Sequence, residues 1–197
     1  MPGPFRFLAD EQILEAAAGL FARHGFTQTS VQRVATAVGL SKTGLLHHFP
    51  SKDALAEAVT ERSIALMSEV LEAVRALPTG PERDRLALTL LVDQAMSRPG
   101  LTAFSLNHIT TGSRPTASDH HLILEAFGLS ADSGLSERRL RVIGALGALA
   151  IASLTVVGTG QAGNWRSHIV ATAYDALGHD QASRTTPKQA KRPGAGS

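Results

Sequence analysis

Serine and glycine stand at regular joints between short apolar runs in residues 25–52, and this spacing limits the fold more than any other feature. Ser30, Ser41 and Ser51 each precede a run with helical periodicity, as helix N-caps do. Gly25 and Gly39 follow such runs, where glycine commonly ends a helix. The spacing predicts three short helices with a tight glycine turn between the second and third. These helices are predicted at about 10–24, 31–38 and 42–48.

The remainder of the chain keeps the same helical periodicity, with Pro and Gly between the apolar runs. Asp10 is predicted to cap the first helix, and a loose arm precedes it. No segment shows the alternation of a strand, and only 5% of the residues are aromatic. The sequence therefore predicts an all-α fold. The later helices are predicted at about 52–77, 82–97, 101–109, 119–127, 136–157 and 164–177.

The charge distribution around the glycine turn favours a polyanionic partner. No acidic residue lies between Glu15 and Asp53, while Arg33, Lys42 and Lys52 fall in this interval. Such local positive potential attracts phosphate, whereas a net charge of +2 is too small to indicate nucleic acid by itself. A helix-turn-helix places its second helix in the major groove of DNA. A solvated helix face is the alternative, and charge alone does not decide between them.

The sequence around this turn resembles the N-terminal signature of TetR-family regulators. The similarity lies in GFTQTSVQRVA (25–35), VGLSK (38–42), Leu45 and HHFPSKDAL (47–55), and it covers about residues 10–58. The resemblance implies a helix-turn-helix DNA-binding domain at 1–50 and a larger helical effector-binding and dimerisation domain at 51–178. Residues 179–197 are predicted to be a disordered basic tail. The implied function is a repressor that a small-molecule effector releases from a palindromic operator.

The resemblance also implies which residues meet double-stranded DNA. Ser30 and Gln32 are expected at phosphates, Lys42 and Thr43 at base edges or the flanking backbone, and His48 and Lys52 at phosphates, with a base as the alternative for His48. His47 either contacts DNA or packs on the surface. Leu46 stands where the family usually has Tyr, so a phenol that would donate to a phosphate is missing. Gly44 is a second departure from the usual sequence of the family, and it weakens the third helix by roughly 0.5–1 kcal/mol relative to Ala.

The segment from Ser136 to Val157 is apolar nearly all round and is therefore predicted to be buried. A transmembrane span is the rival interpretation, because no charge lies between Arg141 and Arg166. Polar residues and glycines dilute a run that barely reaches spanning length, so no membrane is predicted. Small residues along this helix allow another helix to approach closely. Together, the helices predicted at 136–157 and 164–177 resemble the dimer contact of the family. This resemblance predicts a homodimer.

The larger domain is predicted to bind an apolar or amphipathic small effector, because it is aliphatic and carries few fixed charges. Candidate lining residues are aromatic or polar side chains in its middle part, for which a role in the core or at the surface is the alternative. These candidates are Phe104, Asn107, His108, His121 and Phe127.

Several other classes find little support in the sequence. The chain has no Cys, which excludes disulfides and thiolate metal sites, and no secretion signal is predicted, so the expected location is the cytoplasm. Zinc at His120 and His121 is disfavoured, because adjacent helical residues point to different faces. No phosphate loop or nucleophile elbow supports an enzyme, and no cofactor or metal is predicted. Beside the DNA-binding repressor and the enzyme, a third hypothesis is a helical adaptor that binds protein partners.

Overall fold

The computed structural model describes residues 4–111, 117–130, 134–160 and 162–179, and within these ranges the chain forms nine α-helices and no strand. The all-α prediction is confirmed, whereas the predicted tail lies outside the described residues from position 180 onward. The helices are α1 (Pro4–Gln28), α2 (Val31–Ala37), α3 (Lys42–His48), α4 (Lys52–Val74), α5 (Pro81–Ser97), α6 (Pro99–Thr111), α7 (Ala117–Ala126), α8 (Glu137–Val157) and α9 (Ala162–Ala176).

Helix α1 begins earlier than the sequence predicts. It starts at Pro4, so Asp10 lies inside the helix and the prediction that it is an N-cap was wrong. Proline is well suited to the first position of a helix, where its missing N–H would have no partner. The helix kinks at Gly25, whose φ of 79° and ψ of 161° lie outside the helical region. The expected break at Gly25 is therefore present, although helical turns continue to Gln28.

Two hydrophobic cores stabilise the fold, and α4 contributes to both. The N-terminal core joins α1, α2, α3 and the start of α6, with Leu101, to the first part of α4 through Leu55 and Val59. The C-terminal core joins α5, α7, α8 and α9 to the last part of α4 through Val70 and Val74. Helix α4 continues unbroken from one core to the other, so the predicted boundary at residue 50 precedes a helix that belongs to both.

Helix α8 is long and apolar enough to cross a membrane, with a mean hydropathy of 2.1. In the fold it packs against α5, α6 and α9, and Val142, Ala145 and Leu149 are buried in the C-terminal core. Its opposite side is exposed, at Leu140 and Ile151. The helix therefore has one face in the core of the helical domain and one apolar face that no described residue covers.

A buried carboxylate ties α8 and the end of α9 to α5. Asp84 is fully buried, and its Oδ2 lies 2.5 Å from Nη2 of Arg138 and 2.7 Å from Nε2 of His179. Beside it, the Arg83 guanidinium donates to the main-chain oxygens of Glu125 and Ala126, which closes the end of α7. Buried charges of this kind are tolerated only when they are paired, so these contacts fix how the C-terminal helices are arranged.

Candidate nucleic-acid interface and effector cavity

Side-chain caps and one glycine define the helix-turn-helix. The hydroxyl of Ser30 accepts from the main-chain N–H of Arg33 at 3.1 Å, and that of Ser41 accepts from Gly44 at 2.9 Å. Between the two helices Gly39 adopts a φ of 72°, a conformation that strains residues with a Cβ. The predicted caps and turn are therefore confirmed, and α2 and α3 lie within one residue of their predicted ends.

The exposed residues of α3 carry the groups expected to meet DNA. Lys42, Thr43 and His47 are exposed, Leu46 is half-buried, and Leu45 is buried in the N-terminal core. This division leaves the polar side of the helix toward solvent, as a recognition helix requires. Since Lys42 follows the cap of α3, it places a positive charge at the helix end where unpaired N–H groups also favour anions.

At the start of α2, Ser30 and Gln32 are both exposed. The Gln32 amide donates to the Thr36 hydroxyl at 3.3 Å, one turn further along the same helix. The Ser30 oxygen accepts the capping bond from Arg33, which leaves its O–H able to donate to a phosphate. A phosphate at this end would therefore meet the Ser30 hydroxyl and the first main-chain N–H groups of α2, beside a Gln32 side chain whose amide points along the helix.

The structure gives His48 and Lys52 partners within the protein. Nδ1 of His48 lies 2.6 Å from Oδ1 of Asp10 on α1, so this pair links α3 to α1. Because the carboxylate accepts, Nδ1 carries the proton, and His48 donates to a phosphate through Nε2 only as an imidazolium. The Lys52 ammonium lies 4.1 Å from the centre of the Phe26 ring and donates to the main-chain oxygen of Thr27 at 3.3 Å. Sequence reasoning did not anticipate either contact.

A cavity of about 360 Å³ lies between α4, α5, α6, α7 and α8. Its walls are mostly aliphatic, with Leu106, Ile123 and Leu146 among them. Polar side chains are few, and they include Ser63 on α4, Gln94 on α5 and Arg139 on α8. Cavities that hold small molecules combine such apolar walls with a few polar groups.

The predicted effector residues lie elsewhere where their side chains are described. Phe104 packs in the N-terminal core, 6.4 Å from Phe21 between ring centres, and Phe127 is buried in the C-terminal core. Asn107 donates to the main-chain oxygen of Ala22 at 3.2 Å. His121 is exposed, with Nε2 3.7 Å from Glu125 Oε2. The side chain of His108 is outside the described residues, as is that of His120.

A second open space lies where α1 meets α6, and here the two domains contact each other. The Glu15 carboxylate accepts from the main-chain N–H of Gly100 and, at 3.1 Å, from that of Leu101, so it caps the start of α6. Burial raises the pKa of Glu15 above its ordinary value of 4.5, although these N–H bonds act in the opposite direction. Sequence patterns do not predict this pairing, because the two residues are 85 positions apart.

One face of α6 meets the cavity and another meets α1. Thr102, Ser105 and Leu106 line the cavity, while Gly100 and Asn107 contact α1. A ligand that moves α6 would therefore act directly on α1, and through it on the helix-turn-helix. Among the described residues, no group of three His, Asp or Glu side chains is arranged to hold a metal ion.

Comparisons with known proteins agree with this geometry. The model of the family "Bacterial regulatory proteins, tetR family" matches residues 13–59. The transcriptional repressor AcnR of Corynebacterium efficiens is 32% identical over 93 residues, which are 44% of this chain and 50% of AcnR. The transcriptional regulator RutR of Escherichia coli is 41% identical over 63 residues, which are 32% of this chain and 30% of RutR. The chain thus spans about half the length of AcnR and less of RutR.

The whole fold also resembles solved structures. A TetR-like transcriptional regulator from Rhodococcus sp. RHA1 superposes with a TM-score of 0.59 at 20% identity, covering 92% of this chain and 98% of the other. The fold therefore defines a helix-turn-helix protein with a second, larger helical domain. Over residues 13–59, the chain is similar to the TetR family of bacterial regulatory proteins.

Proposed function

We propose that this protein is a cytoplasmic transcriptional repressor that binds a palindromic operator as a homodimer and leaves it when a small molecule occupies the cavity. The observation that carries the proposal is the helix-turn-helix, whose family match includes both capped helices and whose α3 exposes Lys42, Thr43 and His47. The names of AcnR, a repressor, and RutR, a regulator, support the same activity.

Selection of bound sequences from a random duplex pool tests DNA binding, and the proposal expects a palindrome. Lys42→Ala should then weaken binding to operator and to unrelated duplex, and it should reduce the salt slope by about one unit. Arg75→Ala is the matched control, since Arg75 is an exposed cation near the end of α4, paired with Glu72. Failure to enrich any sequence, with equal salt slopes for wild type and Lys42→Ala, would contradict the proposal.

The exposed apolar face of α8 and α9 supports the homodimer. Leu140, Ile151 and Trp165 are 54%, 62% and 47% exposed, which is unusual for such large apolar side chains on neighbouring helices. Gly144 lies between the first two on α8, and a Cβ built there would meet nothing within 4 Å. A second copy of this face would bury these side chains and allow close helix approach.

Sedimentation at micromolar concentration tests the dimer. Ile151→Glu should give a monomer, because two carboxylates would be buried near each other across the two-fold axis. Leu8→Glu is the matched control, since Leu8 is 61% exposed but lies on α1. A wild-type monomer would contradict the dimer, and so would an Ile151→Glu variant that stays dimeric.

The contacts of α6 support the coupling between effector and DNA. A ligand in the cavity would contact Thr102 and Leu106 on α6. The first turn of the same helix is bound by the Glu15 carboxylate of α1. Coupling free energies between such sites are typically ~1–3 kcal/mol, or about 5- to 150-fold in operator affinity. The test is operator binding with and without a cavity ligand, and unchanged affinity at saturating ligand would contradict the coupling.

A further inference from the structure

Two residues that line the effector cavity each have a buried polar atom with no hydrogen-bond partner among the described residues. These atoms are Oγ of Ser63 and Oε1 of Gln94. Ser63 is only 3% exposed, and both side chains line the cavity. A buried polar group without a partner is destabilising, and alanine or leucine at these positions would avoid that cost. A ligand group that reaches these oxygens would supply the missing hydrogen bonds.

The bonding of Gln94 fixes which of its amide atoms is left over. Its Nε2 donates to the main-chain oxygen of Leu66 at 2.9 Å. Since a carbonyl only accepts, the nitrogen must face Leu66, and the oxygen remains as an unused acceptor. Ser63 lies three residues before Leu66 on the same helix, so its hydroxyl and the Gln94 oxygen share the wall between α4 and α5.

The rest of the cavity restricts the ligand further. The walls on α7 and α8 are apolar at Ile123 and Leu146, while Arg139 is positively charged and no acidic residue is among the described lining residues. A cation is therefore disfavoured. The volume of about 360 Å³ has room for about a dozen non-hydrogen atoms, at the ~30 Å³ that one water occupies in the liquid.

We propose that the effector is an uncharged amphiphile whose head both donates to Gln94 Oε1 and accepts from the Ser63 hydroxyl, such as an alcohol. Its body is an aliphatic chain or ring of about ten atoms lying against α6, α7 and α8. This inference rests on the proposed function, because it assigns the chemistry of the effector to the cavity through which DNA binding is regulated.

Isothermal titration with three probes of ten non-hydrogen atoms tests the head group. 1-Nonanol carries a donor and an acceptor, 1-methoxyoctane only an acceptor, and octanoate a negative charge. The wild type should bind 1-nonanol about tenfold more tightly than the ether, as expected for hydrogen bonds that the ether cannot make. Equal binding of alcohol and ether would overturn the proposal. Preference for octanoate would also overturn it, because Arg139 would then select the ligand.

Variants assign the effect to the two side chains. Gln94→Leu should bring the alcohol-to-ether ratio close to one, because it removes the acceptor that only the alcohol can use. Ser63→Ala should instead weaken the binding of alcohol and ether alike, because both probes accept from its hydroxyl. Thr102→Val is the matched control, because the Thr102 hydroxyl lines the same cavity but already donates to the main-chain oxygen of Arg98 at 3.1 Å. Its ratio should stay at the wild-type value. Ser63→Ala should melt no lower than the wild type, since it loses an unpartnered group, and unchanged affinity of this variant for both probes would overturn the proposal.

Operator binding separates failure of this inference from failure of the proposed function. Tight operator binding with no binding of 1-nonanol would overturn the head-group assignment and leave the DNA-binding proposal intact. Selective binding of 1-nonanol that depends on Ser63 and Gln94 but leaves operator affinity unchanged would support the head-group assignment. The same result would overturn the effector coupling in the proposed function.

Discussion

Substituting Gly100 by alanine tests the close approach of α1 and α6. A Cβ built on Gly100 would lie 2.8 Å from Oε1 of Glu15 and closer still to the main-chain oxygen of Glu15. The carboxylate can swing away, but the main-chain oxygen belongs to α1 and cannot move without the helix. The methyl group therefore pushes the two helices apart and disturbs the cap that Glu15 provides.

Overpacking of this kind typically costs 1–3 kcal/mol, and the helix propensity gained by replacing glycine returns only about 0.5–1 kcal/mol. The net expectation is a loss of about 1–2 kcal/mol in the free energy of unfolding. With a urea m-value of about 2 kcal/mol/M, the unfolding midpoint should fall by roughly 0.5–1 M. Equilibrium urea denaturation of the ligand-free protein, followed by far-ultraviolet circular dichroism, measures this shift.

Gly163→Ala is the matched control for that measurement. Gly163 is the second residue of α9 as Gly100 is of α6, and a Cβ there would meet nothing within 4 Å. Its urea midpoint should stay level or rise slightly. If Gly100→Ala unfolded at the same urea concentration as the wild type, α1 and α6 would not be in the contact described, and the route from cavity to DNA through α6 would fail with it.

Two further substitutions address the Glu15 carboxylate and the recognition helix. Because burial raises the pKa of Glu15 in the folded protein, the folded state binds the proton more tightly, and stability falls as pH rises through the interval above 4.5. Glu15→Gln should remove that part of the pH dependence above pH 4.5, and an unchanged slope in urea titrations would contradict the assignment. Leu46→Tyr should tighten binding to operator and to unrelated duplex alike by roughly 1 kcal/mol with little change in salt slope, because a phenol adds one neutral phosphate contact. Weaker operator binding with unrelated duplex unaffected would mean that Leu46 contacts a base.

Local signals in the sequence predicted the helices well. Ser30, Ser41 and Ser51 each cap the helix they were expected to cap, because a hydroxyl three residues before an N–H needs nothing else from the fold. Helix α3 has its predicted ends for this reason. The start of α1 differs most, since Asp10 is paired with His48 rather than with the main chain, while α1 continues to Gln28 and α4 ends three residues earlier than predicted.

The cavity and the contact between domains were not predictable by the same means. Periodicity indicates that Phe104 and Phe127 face inward, but it does not indicate which neighbour they face, and both pack in cores rather than in the cavity. The pairs Asp10–His48 and Glu15–Gly100 join residues 38 and 85 positions apart. Such partners are set by how helices cross, and helix crossing depends on all the side chains of the interface together.

The sharing of α4 by both cores has a consequence for protein engineering. A chimera that grafts this DNA-binding domain onto another sensor by cutting after residue 50 would discard Leu55 and Val59, both at most 1% exposed, and Leu66, 3% exposed, from the N-terminal core. Losing large buried aliphatic side chains costs about 2–5 kcal/mol each, comparable to the whole stability of a small domain. A working graft must therefore carry α4 at least through Leu66, and the acceptor must supply a surface that fits the remainder of that helix.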